Sequence, residues 1–476
     1  MILLLILLPL AFAALALVFP WNRLRPFLLP LTGLGHSAIT AFVLINPEYR
    51  TFNQWIILDP LAAIILLSVS ALYLLASFYA SGYLSYRKER SNRVFAASFS
   101  AFLGLISLAI CSHHLGLMWV AIEGTTLVTA PLIYFNRSPK SIEATWKYLL
   151  VGSVGIALAL LGTFFLAYSS MVGGKEASLD LSTLIANAPS MSPMWLRSAF
   201  ILLLVGYGTK MGLAPMHTWK PDAYGEAPGV VGAILAGGVT SGAFLALLRI
   251  YQITNAAGQG AFASRLLIFM GLLYMATAGI FMINQRDFMR MLAYSSVEHM
   301  GILALGVGIG GIALWGALLH VLTNSMTKGV LFLSAGNIHR AYGDKSTDAV
   351  RGALRRIPLS ASLFLAGFLA ITGSPPFGPF ISEFTILNGA FTSGHFAGGA
   401  LFLVFLLVVF IGMGITVLKV VQGRQSPDVA GTEYHETVLT TVPVIIFMAI
   451  VIMLGVYIPP FLRDMLSRAI QFLGMQ

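Results

Sequence analysis

The chain is 476 residues long, 58% hydrophobic and only 10% charged, with a mean hydropathy of +0.86. Soluble domains carry roughly 25% charged residues, so a soluble protein is excluded and a polytopic membrane protein is indicated. The formal charge of +10 would suit nucleic acid, but the cations sit in short loops where membrane topology accounts for them, and the single Cys111 excludes an internal disulfide and a protein-ligated iron–sulfur cluster.

Apolar runs long enough to cross a hydrocarbon core of about 30 Å recur along the whole length, which favours helices; a β-barrel would show weaker alternating segments of about ten residues. The pattern predicts an all-α polytopic membrane protein with about fourteen transmembrane helices, near 1–19, 27–45, 60–81, 94–112, 114–135, 147–170, 197–218, 228–250, 264–284, 290–309, 311–337, 358–390, 398–422 and 438–460, and a short amphipathic tail over 461–476. In the first span Ala11-Phe12-Ala13 resembles a signal-peptide cleavage site, but no cation precedes it, and the span is read as retained. Asp59, ahead of Pro60, reads as the N-cap of the third span, and His113 and His114 as interfacial residues at a span boundary. The largest gaps, roughly 171–196 and 338–357, are too short for a soluble domain, so chemistry falls inside the bilayer or to a partner.

Loop charge gives the orientation. Loops after odd-numbered spans carry Arg23 and Arg25; Arg87, Lys88, Arg90 and Arg93; Arg137 and Lys140; Lys220; Arg286; Arg340, Lys345, Arg351, Arg355 and Arg356; and Arg424, whereas the even loops offer little beyond Arg50, Lys175 and Arg265. By the positive-inside rule the odd loops are cytoplasmic, which predicts both termini on the outer face of a prokaryotic inner membrane.

The stretch from Ile201 to Arg249 carries the strongest functional signal. Lys210 lies inside its first apolar segment among Gly206, Gly208, Gly212 and Pro215. A charge at bilayer depth costs a few kcal/mol on insertion scales, roughly 3, so it marks a functional site by default, and the glycines and proline open the helix ladder beside it. A weak internal repeat accompanies it: Glu123 in the fifth span precedes Lys210 in the seventh at nearly the spacing by which His299 in the tenth precedes Glu383 in the twelfth, and the twelfth is interrupted by Gly373-Ser374-Pro375-Pro376-Phe377-Gly378-Pro379 as the seventh is by its glycines and Pro215. Spans 4–8 and 9–13 then form two five-helix repeats of inverted topology, with broken helices at spans 7 and 12, an arrangement that points to an ion pathway at the midplane. The expected division is 1–93 for the first three helices, 94–253 and 254–425 for the repeats, and 426–476 for the last helix and tail.

The segments LMWVAIEGTTLVTAPL, EATWKYLLVGSVG, KMGLAPMHTWKPDAYGEAPGVVGAI, RMLAYSSVEHMGI, LLHVLTNSMTKGVLFLSAGNI and TGSPPFGPFISEFTIL resemble the antiporter-like subunits shared by respiratory complex I, Mrp-type sodium/proton antiporters and membrane-bound nickel–iron hydrogenases, over residues from about 59 to 395. EATWKY, NSMTKGVLF and the short C-terminus look nearest to component F of hydrogenase-4 and formate hydrogenlyase-type complexes. The resemblance implies a proton-translocating module with no cofactor of its own, whose nickel–iron and iron–sulfur centres sit in partner subunits, and whose membrane neighbours include further antiporter-like subunits. It implies a fifth-span carboxylate at Glu123, its seventh-span partner at Lys210, a central hydrophilic axis through His299, His320 and Lys328, and a twelfth-span exit at Glu383. The sequence departs from that pattern at Ser241, where many relatives place lysine or histidine, and at Asn324, where some place a second histidine; water has to bridge both.

The chemistry follows from the residue types. Burial disfavours the charged form of lysine and glutamate alike, and proximity stabilises the charged pair. Approach of Glu123 would therefore hold a proton on Lys210, and withdrawal would release it toward the axis; histidines, with an ordinary pKa of about 6.5, suit the onward relay. The competing structural readings are a packing ion pair between Glu123 and Lys147, snorkelling for Lys147 and Lys419 near span ends, a hydrogen-bonded core role for the histidines, and a capping role for Glu298 beside His299. Lys220 and Asp222, in TWKPDAYGEAP, read chiefly as fixing the turn into the eighth span. Three classes remain open: a proton-pumping subunit of a redox complex, a sodium/proton antiporter subunit of an Mrp-like assembly, and a transporter of an organic solute, for which no recognition groups are evident.

Overall fold

The computed structural model describes residues 1–87, 90–423 and 432–474, so the loop cations Lys88 and Arg424, and the boundary expected at 425, lie outside the described residues. The first helices are α1 (Ile2–Val18), α2 (Leu28–Ile45), α3 (Pro60–Tyr86), α4 (Arg93–Cys111), α5 (Leu115–Ile133) and α6 (Pro139–Val172). A short α7 (Leu181–Asn187) fills the first long gap, followed by α8 (Pro193–Met211) and α9 (Trp219–Glu226). Then α10 (Gly229–Ile234) runs through a π-helical turn at Leu235–Val239 into α11 (Thr240–Ala256). The second half holds α12 (Gly260–Met282), α13 (Phe288–Ile309), α14 (Gly311–Tyr342), α15 (Ala353–Arg356), α16 (Pro358–Ile371), α17 (Gly378–Thr392), α18 (Phe396–Val421), α19 (Val438–Val456) and α20 (Pro460–Phe472). The described residues are nearly all helical; the expectation of an all-α chain is corrected only by a small antiparallel hairpin, Thr51–Asn53 with Ile56–Ile57, between α2 and α3.

Local chemistry sets the helix starts. Asp59 Oδ1 accepts from Ala62 N at 2.7 Å with Pro60 in the first turn, Ser138 accepts from Ser141 N, and Thr437 forms a capping box with Thr440. Among the described residues ten helices are long and apolar enough to cross a membrane. The Gly229–Ala256 segment is buried as far as Thr254 and lies at the centre of the bundle, packed against α3, α8 and α14. Helices α6 and α18 expose apolar faces, Leu150, Val154 and Phe164 on one and Leu403, Val404 and Leu407 on the other, as lipid-facing surfaces do.

Two helices are interrupted where the glycines and prolines predict. The first stops at Met211, where Gly212 turns left-handed (φ 89°), and the chain resumes as α9. The second stops at Ile371, passes Gly373 (φ 69°) and resumes at Gly378 as α17. The sequence reading made 219–227 a polar turn in a cytoplasmic loop. Instead Trp219–Glu226 is a helix whose Trp219, Lys220, Ala223 and Tyr224 are buried, because it packs between α6 and α13.

Candidate functional site

The first cluster forms where α5, α6 and α8 meet. The Lys210 ammonium is fully enclosed; it donates to Thr126 Oγ1 at 2.5 Å and to Glu123 Oε2 at 3.2 Å, and lies 5.8 Å from the centre of the Tyr148 ring. Glu123 keeps a fifth of its side chain exposed (19%) and accepts from Ser153 on α6 at 3.0 Å. The ion pair is therefore Lys210–Glu123, and Glu123 does not pair with Lys147.

The second cluster lies between α13, α14 and α17. Lys328 donates to Ser295 Oγ at 2.8 Å and sits within electrostatic reach of Glu298. His299 Nδ1 and His320 Nε2 are 2.9 Å apart, and His320 Nδ1 is 2.8 Å from Ser382 Oγ. Ser382 itself donates to Pro379 O at 2.9 Å, so its lone pair accepts from His320 Nδ1–H. That leaves His320 Nε2 as acceptor and His299 Nδ1–H as donor, which turns the lone pair of His299 Nε2 toward Glu298 Oε2, 3.8 Å away. Glu383 Oε1 is 3.8 Å from His299 Nδ1 on the other side.

These groups are buried and under-partnered: both carboxylate oxygens of Glu298, His299 Nε2, Glu383 Oε1 and Asn324 Oδ1 make no hydrogen bond. Buried polar atoms in native proteins are paired with protein or ordered water, so several orphans in one locality mark a place for water. The facing atoms of His299, His320 and Glu383 all lie within 4.8 Å of one another, a spacing that would accept a cation, but the imidazole–imidazole hydrogen bond already engages the facing nitrogens.

Between the clusters stands Lys220, which the sequence reading assigned to a turn. Its side chain is buried, donating to Met211 O at 2.7 Å and Ser296 O at 3.3 Å, within reach of Lys328 and His299. Only its place in a proline-containing motif after a helix break hinted at burial.

The remaining candidates stand apart. Lys147 is half exposed and pairs with Glu143 at 2.6 Å and Asp222 at 2.8 Å; with Arg290 and Lys345 it lines a charged cavity of about 490 Å³. Lys419 is exposed in the last turn of α18. Ser241 is buried beside the π-helical turn, donating to Gly237 O at 2.7 Å. A further buried pair was not anticipated: Arg249 meets Asp59 Oδ2 at 2.7 Å and donates to Ile110 O at 2.9 Å and to Ser112 O. His113 lies 3.7 Å from the same carboxylate, and His114 caps α5.

With that geometry in place, residues 112–416 match the family model described as NADH:quinone oxidoreductase/Mrp antiporter, TM. The chain belongs to this family. The resemblance read from the sequence is thereby borne out, and every member of the buried row, from Glu123 to Glu383, lies inside the matched segment, whereas Asp59 and Lys419 lie outside it. A curated member, the hydrogenase-4 component F homolog of Methylacidiphilum infernorum (isolate V4), is 33% identical over 418 residues, covering 86% of this chain and 86% of its own length. The fold is that of a chain in the membrane-bound sulfane sulfur reductase, an archaeal respiratory membrane complex, with a TM-score of 0.87 at 21% identity over 99% of this chain and 97% of that one. It equally matches a chain of the Mrp complex from Dietzia sp. DQ12-45-1b, with a TM-score of 0.87 at 17% identity over 99% and 97%. Both of these chains belong to membrane complexes.

Proposed function

We propose that this chain is the proton-translocating, antiporter-like membrane subunit of a redox-driven assembly of the membrane-bound hydrogenase or complex I class. One observation carries the reading: a row of titratable side chains runs from the partly exposed Glu123, through the buried Lys210, to the buried Lys328, Glu298, His299, His320 and Glu383, inside an apolar bundle. Ionisable groups at bilayer depth cost too much to be kept for packing alone.

The steps follow from the geometry. With Glu123 close, Lys210 holds its proton; when Glu123 is drawn away, the N–H bond breaks and the proton moves toward the Lys328 and Glu298 pair. A proton arriving on His299 Nε2 releases Nδ1–H to His320 Nε2, and an N–H bond of the resulting His320 imidazolium breaks to pass the proton to the Glu383 carboxylate, which lies with both imidazoles inside 4.8 Å, as exit. Ser241 and Asn324 hold no proton near neutral pH, so water bridges those positions. Lys147 belongs at the mouth, in the charged cavity with Asp222, and Lys419 has the weakest claim to the pathway. The movement of Glu123 has to be driven by partner subunits, which carry the nickel–iron and iron–sulfur centres.

The finer architecture belongs to the same proposal. The ten apolar spans, together with α1, α8, α14 and the broken pair α16–α17, make fourteen crossings. The inverted repeats at 94–253 and 254–425 are supported by like packing: α4 on α5 as α12 on α13, and α6 on α8 as α14 on α16 and α17. The loop cations favour both termini outside in a prokaryotic inner membrane. The similarity to the Mrp complex supports a second reading, a sodium/proton antiporter subunit without a redox partner.

Purifying the complex through this chain tests both. Co-isolated nickel–iron or iron–sulfur subunits support the first reading, and small membrane subunits alone support the second. In vesicles of the complex, Lys210→Ala is expected to abolish coupled proton uptake; wild-type uptake in that variant removes Lys210 from the mechanism.

A further inference from the structure

The weakest link in the row is the step from the Lys210 cluster to the Lys328 cluster, because Ser241 stands where a titratable residue would serve. Lys220 occupies the space between them. It rises from α9, the short helix after the first break, and its ammonium touches one backbone carbonyl from each side: Met211 O, on the residue that follows Lys210, and Ser296 O, on the residue next to the Ser295 that holds Lys328. Lys220 thus meets the carbonyl of the residue that follows Lys210 in the chain.

The surroundings of Lys220 suit a group that gains and loses a proton better than a fixed cation. Among the described residues no carboxylate oxygen lies within 4.0 Å of it; its neighbours are the two carbonyls, the Tyr224 ring at 5.6 Å, and the Lys328 and His299 side chains, which repel a second positive charge. A permanent cation enclosed without a counter-ion is among the costliest things a bundle can hold. The helix break also makes room for this side chain: a Cβ on Gly212, which has φ 89°, would lie 2.7 Å from Lys220 Cδ, so the stem runs across the face of the glycine.

We infer that Lys220 is the proton station joining the two halves of the row, standing in for the titratable residue absent at Ser241. A proton leaves the Lys210 ammonium to water as its N–H bond breaks, water delivers a proton that forms an N–H bond on the neutral Lys220 amine, and Lys220 then gives a proton up, again through water, to the Glu298 carboxylate or the Lys328 amine. Nothing is oxidised or reduced. The inference rests on the proton-translocation reading above.

The competing role is a clamp, in which Lys220 merely caps the C-terminal carbonyl of α8. Two substitutions separate the roles. Lys220→Arg keeps a charge and donors but holds its proton at any cellular pH, and Lys220→Met keeps the stem alone. Each is examined in the complete complex in vesicles, as protons taken up per electron transferred, with recovery of all subunits as the check on folding and Lys210→Met measured alongside. The expected result is loss of uptake in both Lys220 variants with the complex recovered intact. Wild-type uptake in Lys220→Arg assigns the clamp and overturns the inference, as does wild-type uptake in Lys220→Met. Loss in Lys210→Met with normal uptake in both Lys220 variants sinks the inference alone, whereas absent uptake in the wild-type complex, or normal uptake in Lys210→Met, sinks the reading beneath it. Should neither Lys220 variant assemble, Gly212→Ala, which crowds the Lys220 stem, supplies the test: slowed uptake in an assembled complex supports the station, and unchanged uptake overturns it.

Discussion

The ion pair between Lys210 and Glu123 is asymmetric: the ammonium is fully enclosed, while the carboxylate, 3.2 Å away, keeps 19% of its side chain exposed. Glu123 is therefore the partner that can move. Glu123→Gln keeps the shape and one of the two acceptor oxygens, which serve Ser153 and Lys210 separately, but puts an NH2 donor in place of the other and removes the charge that holds a proton on the amine. Expected is an assembled complex with coupled proton uptake lost, measured with an entrapped pH dye. Uptake at the wild-type ratio of protons to electrons would show that the pair is structural.

Arg249 and Asp59 form the opposite kind of pair. Both side chains are enclosed, 0% and 2% exposed, and the carboxylate also caps α3. Their hydrogen bonds fix α3 against α11 and the end of α4. Arg249→Met leaves a buried carboxylate uncompensated, which typically costs about 3–5 kcal/mol. Thermal unfolding of the purified complex should fall steeply, and adding Asp59→Asn should restore part of the loss because the cap survives and the stranded charge does not. A double variant as unstable as the single one would refute this account.

How much of this was legible in the sequence depended on whether a residue's depth follows from its position along the chain. Glu123 and Lys210 stand out because each interrupts a membrane-length apolar run, so composition alone places them deep. Lys220 does not: counted along the chain it falls between two spans, and only the turn at Gly212 folds α9 back inside the bundle. Arg249 failed for the same reason, since a cation near a span end reads as a headgroup residue until its buried partner is seen. Most of the expected apolar stretches coincide with helices to within a few residues, but α6 begins at Pro139 rather than 147, because its first turns are amphipathic. The pairing of His299 with His320, from different helices, has no trace in spacing.

Gly373 lies directly against Glu383, the proposed exit residue. It has φ 69°, and a Cβ there would collide with Glu383 Oε2. Gly394 has a similar backbone, φ 78°, but open space around it. Alanine at either position bears a left-handed backbone cost of about 1–2 kcal/mol, so both variants should lose stability to a like degree. Only Gly373→Ala should also impair proton uptake, because it alone pushes the Glu383 carboxyl from its place 3.8 Å from His299. Equal uptake in the two variants would disconnect Glu383 from the pathway.

The direction of the two-histidine bond is set by Ser382. Because its hydroxyl donates to Pro379 O at 2.9 Å, it accepts from His320 Nδ1, and His320 Nε2 is left to accept from His299. A typical net hydrogen bond contributes about 1 kcal/mol, roughly a fivefold change in a population, so Ser382→Ala, which frees His320 to adopt the other tautomer, should slow uptake by about that factor without abolishing it. Ser382→Thr retains the hydroxyl and should recover most of the rate. His320→Gln keeps a hydrogen-bonding side chain that carries no proton near neutral pH, and should stop uptake altogether. The order expected across the series is wild type, then Ser382→Thr, then Ser382→Ala, then His320→Gln. If His320→Gln conducts as well as Ser382→Ala, the imidazole is a hydrogen-bonded core residue, and protons reach Glu383 directly from His299.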